Sequence, residues 1–319
     1  MTDTQLAVRR EQALPTMTAS LEELVQAFLA SQDIKPASKA TYSRSLKQFT
    51  SWLQETGRST RMETLNRLDI LEYRDSLLES GKSAYTVQAY LASVKQLYAW
   101  LETEKAYPDI TRGIKPGKKP RGFRKDILSL ASLRAVLEGI NRSTLEGLRD
   151  YAIVSLLART GLRTIELQRA SIGDLRQEPG LEAGERVLWI QGKGRDSKDD
   201  FVLLTEAAVR PITDYLKARG KTQDTEPLFS SCSDRNNGQA LTTRSLSRIV
   251  KQALRLAGLD SERLTAHSMR HTAISLAVVG GASLQQVQAM ARHSDPKTTM
   301  TYFHNLSRLQ SGAERYIQL

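Results

Sequence analysis

The chain has 319 residues, 40% of them hydrophobic, and its 46 Lys and Arg residues against 35 Asp and Glu residues give a formal net charge of +11. This length favours two domains, the hydrophobic share favours packed cores over disorder, and the charge favours a polyanionic partner over solubility alone. The single cysteine, Cys232, excludes an internal disulfide framework and a cysteine-based zinc site, and the lack of a long apolar run predicts no membrane span or secretory signal, hence a cytoplasmic protein.

The first part of the chain has the pattern of a small helical bundle. Ser20 followed by Glu23 is a capping-box signature, which marks the start of a helix. Tyr and Trp side chains on the apolar stripes that follow are expected in the core. We predict a tail at residues 1–17 and a four-helix domain at residues 18–111. The apolar residues recur at helical spacing from about Leu21 to Leu29, Tyr42 to Leu53, Asp69 to Ser80 and Ala84 to Leu101.

Residues 112–125 form a strongly basic segment and predict an extended linker. Its prolines and glycines oppose helix and strand, and it contains no acidic residue. A solvated linker without a binding role is one interpretation. We favour a linker that lies along a phosphate backbone, because the whole protein is basic. The residues expected to contact phosphate are Lys115, Lys118, Lys119, Arg121, Arg124 and Lys125.

Residues 126–319 predict a larger domain that is mainly helical and contains a small β-sheet. A buried helix at Asp150–Ala158 is followed by a break at Gly161. Two β-rich runs, 187–190 and 201–204, are joined by a polar segment with two glycines, which indicates a β-hairpin. Further helices are expected to begin near Thr205, Arg244, His267 and Leu284.

The histidines are clustered in the last part of the chain. All four fall between residues 267 and 304, together with Arg270, Arg292 and Tyr302. This mixture lacks the carboxylate and thiolate ligands that metals usually need, so we predict neither a metal nor a cofactor. It suits a phosphate group: arginine offers a fork of donors, histidine exchanges a proton near neutral pH, and tyrosine can be a nucleophile.

Other segments carry residues suited to the same chemistry. Arg163 follows a glycine turn and lies three residues before Glu166, so the two can share a helix face. Lys193 lies between two glycines at the predicted hairpin tip, where a ligand can approach closely. Each segment is weak evidence alone, but the ordered combination is hard to obtain by chance. That combination reads Arg163, Lys193, His267, Arg270, His293 and Tyr302.

This order of motifs resembles the tyrosine recombinase family, which includes phage integrases and Xer-type site-specific recombinases. The resemblance covers nearly the whole chain. It implies that residues 18–111 form a SAM-like core-binding domain and residues 126–319 a catalytic domain with a C-terminal tail helix, the two forming a clamp around DNA.

The resemblance implies roles for the phosphate-binding residues. Arg163 and Arg270 match the two arginines of the family, which bind the charge that develops on the phosphate, and Glu166 matches the acidic residue that supports the site. His293 matches a position that adds a hydrogen bond. Preorganised donors of this kind each contribute about 3–4 kcal/mol to transition-state stabilisation.

The resemblance also implies roles in proton transfer and attack. Tyr302 matches the nucleophile, whose attack leaves a 3′-phosphotyrosyl link, so strands are broken and rejoined without metal or ATP. His267 matches the base and Lys193 the acid that protonates the departing 5′ oxygen. His271 matches a second histidine, which we interpret as structural support.

The sequence departs from the family pattern at three positions. Arg292 precedes His293 where the family most often has glycine, which leaves the backbone geometry of that turn open and adds a cation. Met269 replaces the commoner leucine with little change of volume. Phe303 follows Tyr302 where threonine is commoner, and the nucleophile stays in place.

The sequence distinguishes between four candidate functions. A site-specific recombinase acting through a Holliday junction is favoured over a type IB topoisomerase-like enzyme, because the N-terminal part is compact and no long coiled-coil linker is present. Retention of every candidate catalytic residue argues against a DNA-binding regulator without activity, and Glu166 has no carboxylate partners for a metal-dependent nuclease. The expected partner is a double-stranded recombination site on the nucleoid. Assembly is expected as a homotetramer on two duplexes, and as a monomer or weak oligomer without DNA.

Overall fold

The computed structural model describes residues 20–58, 64–117, 126–220, 222–310 and 317, with the backbone alone for residue 235 and residues 305–310. The chain divides into two compact units, Met1–Gly122 and Phe123–Leu319. Helices make up most of the described structure and the second unit adds a small sheet, which confirms the predicted fold class. Within these ranges, no helix has both the length and the apolar character needed to cross a bilayer.

The described residues of the first unit form a helical domain. Helix α1 begins where the capping box predicts: the Ser20 hydroxyl accepts from the Glu23 amide at 3.3 Å, and the Glu23 carboxylate accepts from the Ser20 amide at 2.7 Å. Helix α2 begins well before Tyr42 because Pro36 occupies its first turn, where a fixed φ favours the helix and the missing N–H has no cost. The helices are α1 Leu21–Ser31, α2 Pro36–Glu55, α3 Arg67–Glu79 and α4 Ala84–Thr103.

Aromatic side chains fill the core of the first unit, as expected from the apolar stripes. Phe28, Phe49, Tyr73 and Tyr98 are fully buried. The Tyr73 ring centroid lies 4.9 Å from that of Phe49 and 5.2 Å from that of Trp52. These rings are therefore used for packing.

The second unit contains helices and a three-stranded sheet. Helices start within one residue of the four predicted positions, whereas α5 and β1 were not predicted. The described helices are α5 Leu130–Glu138, α6 Leu145–Thr160, α7 Thr164–Gln168, α8 Glu206–Arg219, α9 Thr243–Leu256, α10 Ala266–Val279, α11 Leu284–Ala291 and α12 Pro296–Gln310. The strands are β1 Leu175–Arg176, β2 Arg186–Ile190 and β3 Asp200–Leu204.

The sheet confirms the predicted β-hairpin. Strands β2 and β3 pair antiparallel, with Leu188 opposite Val202, and β1 adds to the other edge of β2. Leu188 and Leu204 are buried, whereas Phe201 is 51% exposed, which is the alternation of a sheet with one covered face. Strand β1 is too short to leave a periodic pattern in the sequence.

Helix α6 is the central helix of the second unit and positions the first site residues. Its apolar side chains are buried around the helix, including Ile153, Val154 and Leu157. The helix ends at Gly161, whose φ of 62° is in the left-handed region that glycine adopts without strain. The chain therefore reverses sharply here and brings Arg163 to the start of α7.

Candidate active site

The turn between α6 and α7 fixes Arg163 against Glu166. Arg163 is the N-cap residue of α7, and both its amide and its Nη1 donate to the Glu166 carboxylate at 2.8 Å. The Glu166 side chain is fully buried and that of Arg163 is 30% exposed. Glu166 thus holds Arg163 by two contacts while part of the guanidinium remains accessible.

Glu166 has a second cationic partner in Arg292. The Arg292 Nη2 lies 2.9 Å from the carboxylate oxygen Oε2, and the Arg292 side chain is only 7% exposed. Burial by itself raises the pKa of Glu166, but the charge of Arg292 and the contacts with Arg163 outweigh burial and lower this pKa. Glu166 is therefore an anion at neutral pH, shared between two arginines.

Arg292 has a backbone conformation that glycine usually adopts. It follows α11 with φ 52° and ψ 48°, in the left-handed region. A residue with a side chain costs about 1–2 kcal/mol there. The backbone geometry that the sequence left open is thus the one suited to glycine, and the arginine adopts it while its Nη1 donates to the Met290 carbonyl at 2.6 Å.

Arg270 joins the same two turns. It is 3% exposed on α10, its Nη1 donates to the Gly161 carbonyl at 2.5 Å, and its Nη2 donates to the Ala291 carbonyl. Burial, followed by the charges of Arg163 and Arg292, lowers the pKa of Arg270 to about 10. Arg270 therefore stays charged at neutral pH and connects the end of α6 to the end of α11.

Tyr302 lies on α12 and is buried against the same helices. It is 3% exposed and packs in a small apolar cluster with Ile274, Val287 and Ala291. Its hydroxyl lies 2.5 Å from Nδ1 of His271. Burial raises the pKa of Tyr302 to about 12, although the charge of Arg270 acts in the opposite direction. The phenol is therefore protonated at neutral pH.

The histidines surround the tyrosine ring. The Tyr302 ring centroid lies 5.6 Å from that of His271 and 6.2 Å from that of His293, and His267 meets His271 edge-on at 4.7 Å. His293 is oriented by a 2.9 Å contact between its Nδ1 and the buried Thr299 hydroxyl. A supporting role for His271 was predicted from the sequence, whereas its contact with Tyr302 was not. The four-residue spacing from His267, which places both on one face of α10, was the available signal.

The imidazoles of His271 and His293 are neutral at pH 7. Burial lowers the pKa of His271 to about 4, with further contributions from His267 and Arg270. Burial likewise lowers the pKa of His293 to about 4, assisted by Arg270, Arg163 and Arg292. Neutral imidazoles can each accept one proton, so the site combines permanent cations with proton acceptors.

Lys193 lies apart from this cluster. It is exposed in the loop between β2 and β3, and among the described residues no hydrogen bond or ion pair joins it to the other site residues. The loop is anchored by Arg169, whose Nη1 donates to the Gly192 carbonyl at 3.1 Å. Because Arg169 ends the helix that Arg163 begins, the loop is tied to the site at its base.

The structure brings most of the predicted site residues together. Arg163, Glu166, Arg270, His293 and Tyr302 are linked through the contacts above. In the described part of the chain, no group of three His, Cys, Asp or Glu residues could hold a metal ion. Of the predicted linker contacts, Lys115 is exposed in the first unit, and the others lie outside the described residues: Lys118, Lys119, Arg121, Arg124 and Lys125.

Lowering the pH from about 6.5 to about 4 is expected to destabilise the second unit. The folded protein keeps His271 and His293 neutral down to about pH 4, whereas the unfolded chain binds protons below about pH 6.5. The unfolded state therefore takes up more protons in this window, and the free energy of unfolding falls as the pH falls. Urea unfolding at a series of pH values measures the decline. Replacing both histidines by glutamine should make it shallower, and an equally steep decline would contradict the assignment.

The chain matches the profiles of two known protein families. The profile described as the phage integrase family matches residues 129–308, and the profile of the phage integrase N-terminal SAM-like domain matches residues 21–105. The tyrosine recombinase XerD of Listeria monocytogenes serotype 4b (strain F2365) is 28% identical over 290 residues, which cover 90% of this chain and 94% of that protein. The tyrosine recombinase XerD of Yersinia pestis is 30% identical over 291 residues, covering 89% and 92%.

Solved structures of site-specific recombinases and integrases share this fold. The XerH site-specific recombinase in a post-cleavage complex with palindromic difH superposes with a TM-score of 0.70 at 22% identity, covering 92% of this chain and 84% of that chain. A lambda integrase dimer bound to a COC′ core site gives a TM-score of 0.67 at 14% identity, covering 88% and 97%. At these identities the superpositions establish the shared fold. With the catalytic-domain profile covering more than half of its length and relatives matching along most of it, the chain belongs to the phage integrase family and is a tyrosine recombinase.

Proposed function

We propose that this protein cleaves and rejoins DNA at a specific site, with Tyr302 as the nucleophile and a 3′-phosphotyrosyl intermediate, and exchanges strands through a Holliday junction. One observation carries the proposal. The Tyr302 hydroxyl lies against His271, in a site where three guanidinium groups are close enough to lower the pKa of His293. Packing alone does not account for three guanidinium groups beside a buried tyrosine.

The arginines supply the charge that a phosphodiester requires. Arg163 and Arg270 would bind the nonbridging oxygens from two sides, and His293 would add a donor. Each such donor contributes about 3–4 kcal/mol in the transition state. Arg163 is suited to this task because Glu166 fixes one edge of its guanidinium while the side chain stays 30% exposed.

Proton transfer would use the histidines and the hairpin lysine. The neutral His271 ring, 2.5 Å from the hydroxyl, is placed to accept the Tyr302 proton, and we propose that it shares the role of base with His267. Attack forms the bond between Tyr302 Oη and phosphorus and breaks the bond to the 5′ oxygen, which takes a proton from Lys193. Since Lys193 is exposed on a loop anchored at Arg169, we expect this loop to swing onto the bound DNA.

Trapping the covalent intermediate tests this function directly. The protein is incubated with fragmented genomic DNA in EDTA and denatured, and the DNA that remains attached is sequenced. We expect adducts at one sequence motif, joined through the 3′ phosphate. Cleavage that leaves no adduct and occurs only when a divalent metal replaces the EDTA would favour a nuclease. Adducts scattered over all sequences, with relaxation of a supercoiled plasmid that lacks paired sites, would favour a topoisomerase-like enzyme.

The linker at residues 112–125 is proposed to follow the DNA backbone, as part of a clamp formed by domains at residues 18–111 and 126–319. The exposed side chain of Lys115 and the net charge of +11 support a role in phosphate contact. Through such contacts the protein would act on the nucleoid, in the cytoplasm. Replacing Lys118, Lys119, Arg121 and Arg124 by glutamine should flatten the slope of log K against log salt by up to about four units. An unchanged slope would indicate that the segment is a solvated linker without a binding role.

Assembly is proposed as a tetramer on two duplexes, with the chain monomeric or weakly associated without DNA. The C-terminal tail is the proposed contact, because its apolar residues recur at helical spacing and Ile317 is 67% exposed. Leu306 and Leu309 lie on the described backbone of α12, and Tyr316 lies outside the described residues. Deleting residues 306–319 should spare binding to one half-site and abolish cooperative binding and strand exchange. Exchange at the normal rate would contradict the tail contact.

A further inference from the structure

Two arginines tie together the same two turns of the site. Arg270 donates to the carbonyls of Gly161 and Ala291, which lie at the ends of α6 and α11. Arg292, the residue after Ala291, binds Glu166 on the other side of this junction. The turn that carries His293 and the turn that carries Arg163 are therefore joined twice, once through main-chain atoms and once through the buried carboxylate.

The conformation of Arg292 has a free-energy cost, which its ion pair with Glu166 must offset. Its φ of 52° lies where side chains are disfavoured, and its buried Nε has no hydrogen-bond partner in the described part of the chain. A glycine would avoid both penalties, and the turn itself is closed by main-chain hydrogen bonds from Arg292 and His293 to Ala289 and Gln288. The arginine is thus unnecessary for forming the turn. Its contacts with Glu166 and the Met290 carbonyl are what its side chain adds.

We propose that Arg292 is a positioning residue for the cleavage reaction: acting through Glu166, it holds Arg163 and His293 at the fixed separation needed to contact one phosphate. The inference rests on the proposed function, since it assigns Arg163 and His293 to the same phosphate. Glu166 is fully buried and carries the one negative charge between Arg163 and Arg292. Without Arg292 the carboxylate would be held from the α7 side alone, and the His293 turn would lose its side-chain link to α7.

The central experiment replaces Arg292 by glycine, which relieves the left-handed backbone and removes the ion pair. We expect single-turnover cleavage of a nicked recombination-site duplex to fall by up to about 100-fold, the cost of displacing a reacting group by about 1 Å. DNA affinity should change little, because the phosphate-contacting residues remain. Arg292→Lys, which keeps the charge but loses the planar fork, should recover part of the rate.

Lys105 offers a matched backbone control. Among the described residues it is the other non-glycine residue with a positive φ, 55°, and it lies exposed in the first unit. Lys105→Gly makes the same backbone change without touching Glu166, and it should cleave at the wild-type rate. If Arg292→Gly also cleaves at the wild-type rate, the proposed positioning role is wrong.

A double-mutant cycle with Glu166→Gln decides whether Arg292 acts through the carboxylate. In the Glu166→Gln background, Arg292→Gly should cause little further loss, since the shared partner is already uncharged. An equal fractional loss in both backgrounds would overturn the proposal, because Arg292 would then act on DNA or on the fold without Glu166. Thermal unfolding of each variant identifies any loss that follows from misfolding.

A measurement without DNA separates this inference from the proposed function. The imidazole of His293 is titrated by NMR in the wild type and in Arg292→Gly. Loss of the nearby cation and of the link to α7 should raise the pKa of His293 above its value of about 4 and shift its ring resonances. Unchanged resonances would overturn the positioning role even in an active enzyme. Absence of any covalent complex in the wild type would instead refute the proposed function. The NMR titration would still test whether Arg292 links the two turns.

Discussion

Replacing Tyr302 with phenylalanine is expected to abolish the covalent protein–DNA complex and leave DNA binding intact. The ring is 3% exposed and packs against Ile274, Val287 and Ala291, so phenylalanine preserves the packing. The substitution removes the hydroxyl and its contact with His271, a loss of about 1 kcal/mol in stability. Without the proposed nucleophile, no phosphotyrosyl bond is expected to form. Denaturing electrophoresis after incubation with a nicked half-site measures the adduct, and a gel-shift assay measures binding.

Tyr98 provides the control for this substitution. It is also a buried tyrosine, but it belongs to the first unit, and its hydroxyl has no hydrogen-bond partner in the part of the chain that the structure describes. Tyr98→Phe should therefore form adducts at the wild-type rate. A stable adduct in the Tyr302→Phe protein would refute Tyr302 as the nucleophile, and loss of binding there would show that the substitution disturbs more than the chemistry.

Replacing Arg270 is expected to have the second largest effect, because its side chain holds two turns together and is also proposed to bind the reacting phosphate. Arg270→Ala leaves the carbonyls of Gly161 and Ala291 without their donor, at a cost of about 1–3 kcal/mol for each buried group. It also removes the proposed donor to the reacting phosphate, for which we expect a further loss of about 10²- to 10³-fold in cleavage. Single-turnover cleavage and urea unfolding, measured together, separate the two losses.

Arg270→Lys and a second buried arginine make this prediction specific. Lysine keeps the charge but cannot donate as a planar fork, so we expect cleavage to remain far below the wild-type rate while stability recovers in part. Arg149 is equally buried in the same unit and binds the Ser230 carbonyl and Asp150. Arg149→Lys should lower stability without a specific loss of cleavage. Wild-type cleavage by Arg270→Lys would contradict the proposed role.

The features that sequence patterns predicted well depend on local spacing. The β2–β3 hairpin, the Ser20 capping box and the break at Gly161 each depend on residues close in the chain, and each is present in the structure. The family and the fold class are also confirmed, because the motif order and the helical periodicity cover nearly the whole chain. The individual catalytic roles and the domain boundaries stay predictions.

The contacts that sequence could not supply join distant segments. Glu166 and Arg292 are separated by 126 residues and His271 and Tyr302 by 31, so no helical or strand period relates them. The sequence identified Arg292 as a departure from the family, but its glycine-like φ and its buried ion pair depend on the contact between the turn after α11 and Glu166 of α7. Short elements such as β1 Leu175–Arg176 are specified by pairing with β2 instead of by their own pattern.

The burial of Tyr302 would limit the cleavage of DNA outside the recombination site. With a pKa of about 12, only about one molecule in 10⁵ carries the phenolate at pH 7. Contact with a phosphodiester is further restricted because 3% of the side chain is exposed. Given the proposed role of Tyr302, a protein in this conformation would bind DNA without breaking the strands. Under the same proposal, cleavage would require the side chain to leave its apolar cluster, so the recombination site would activate the enzyme as well as serve as its substrate.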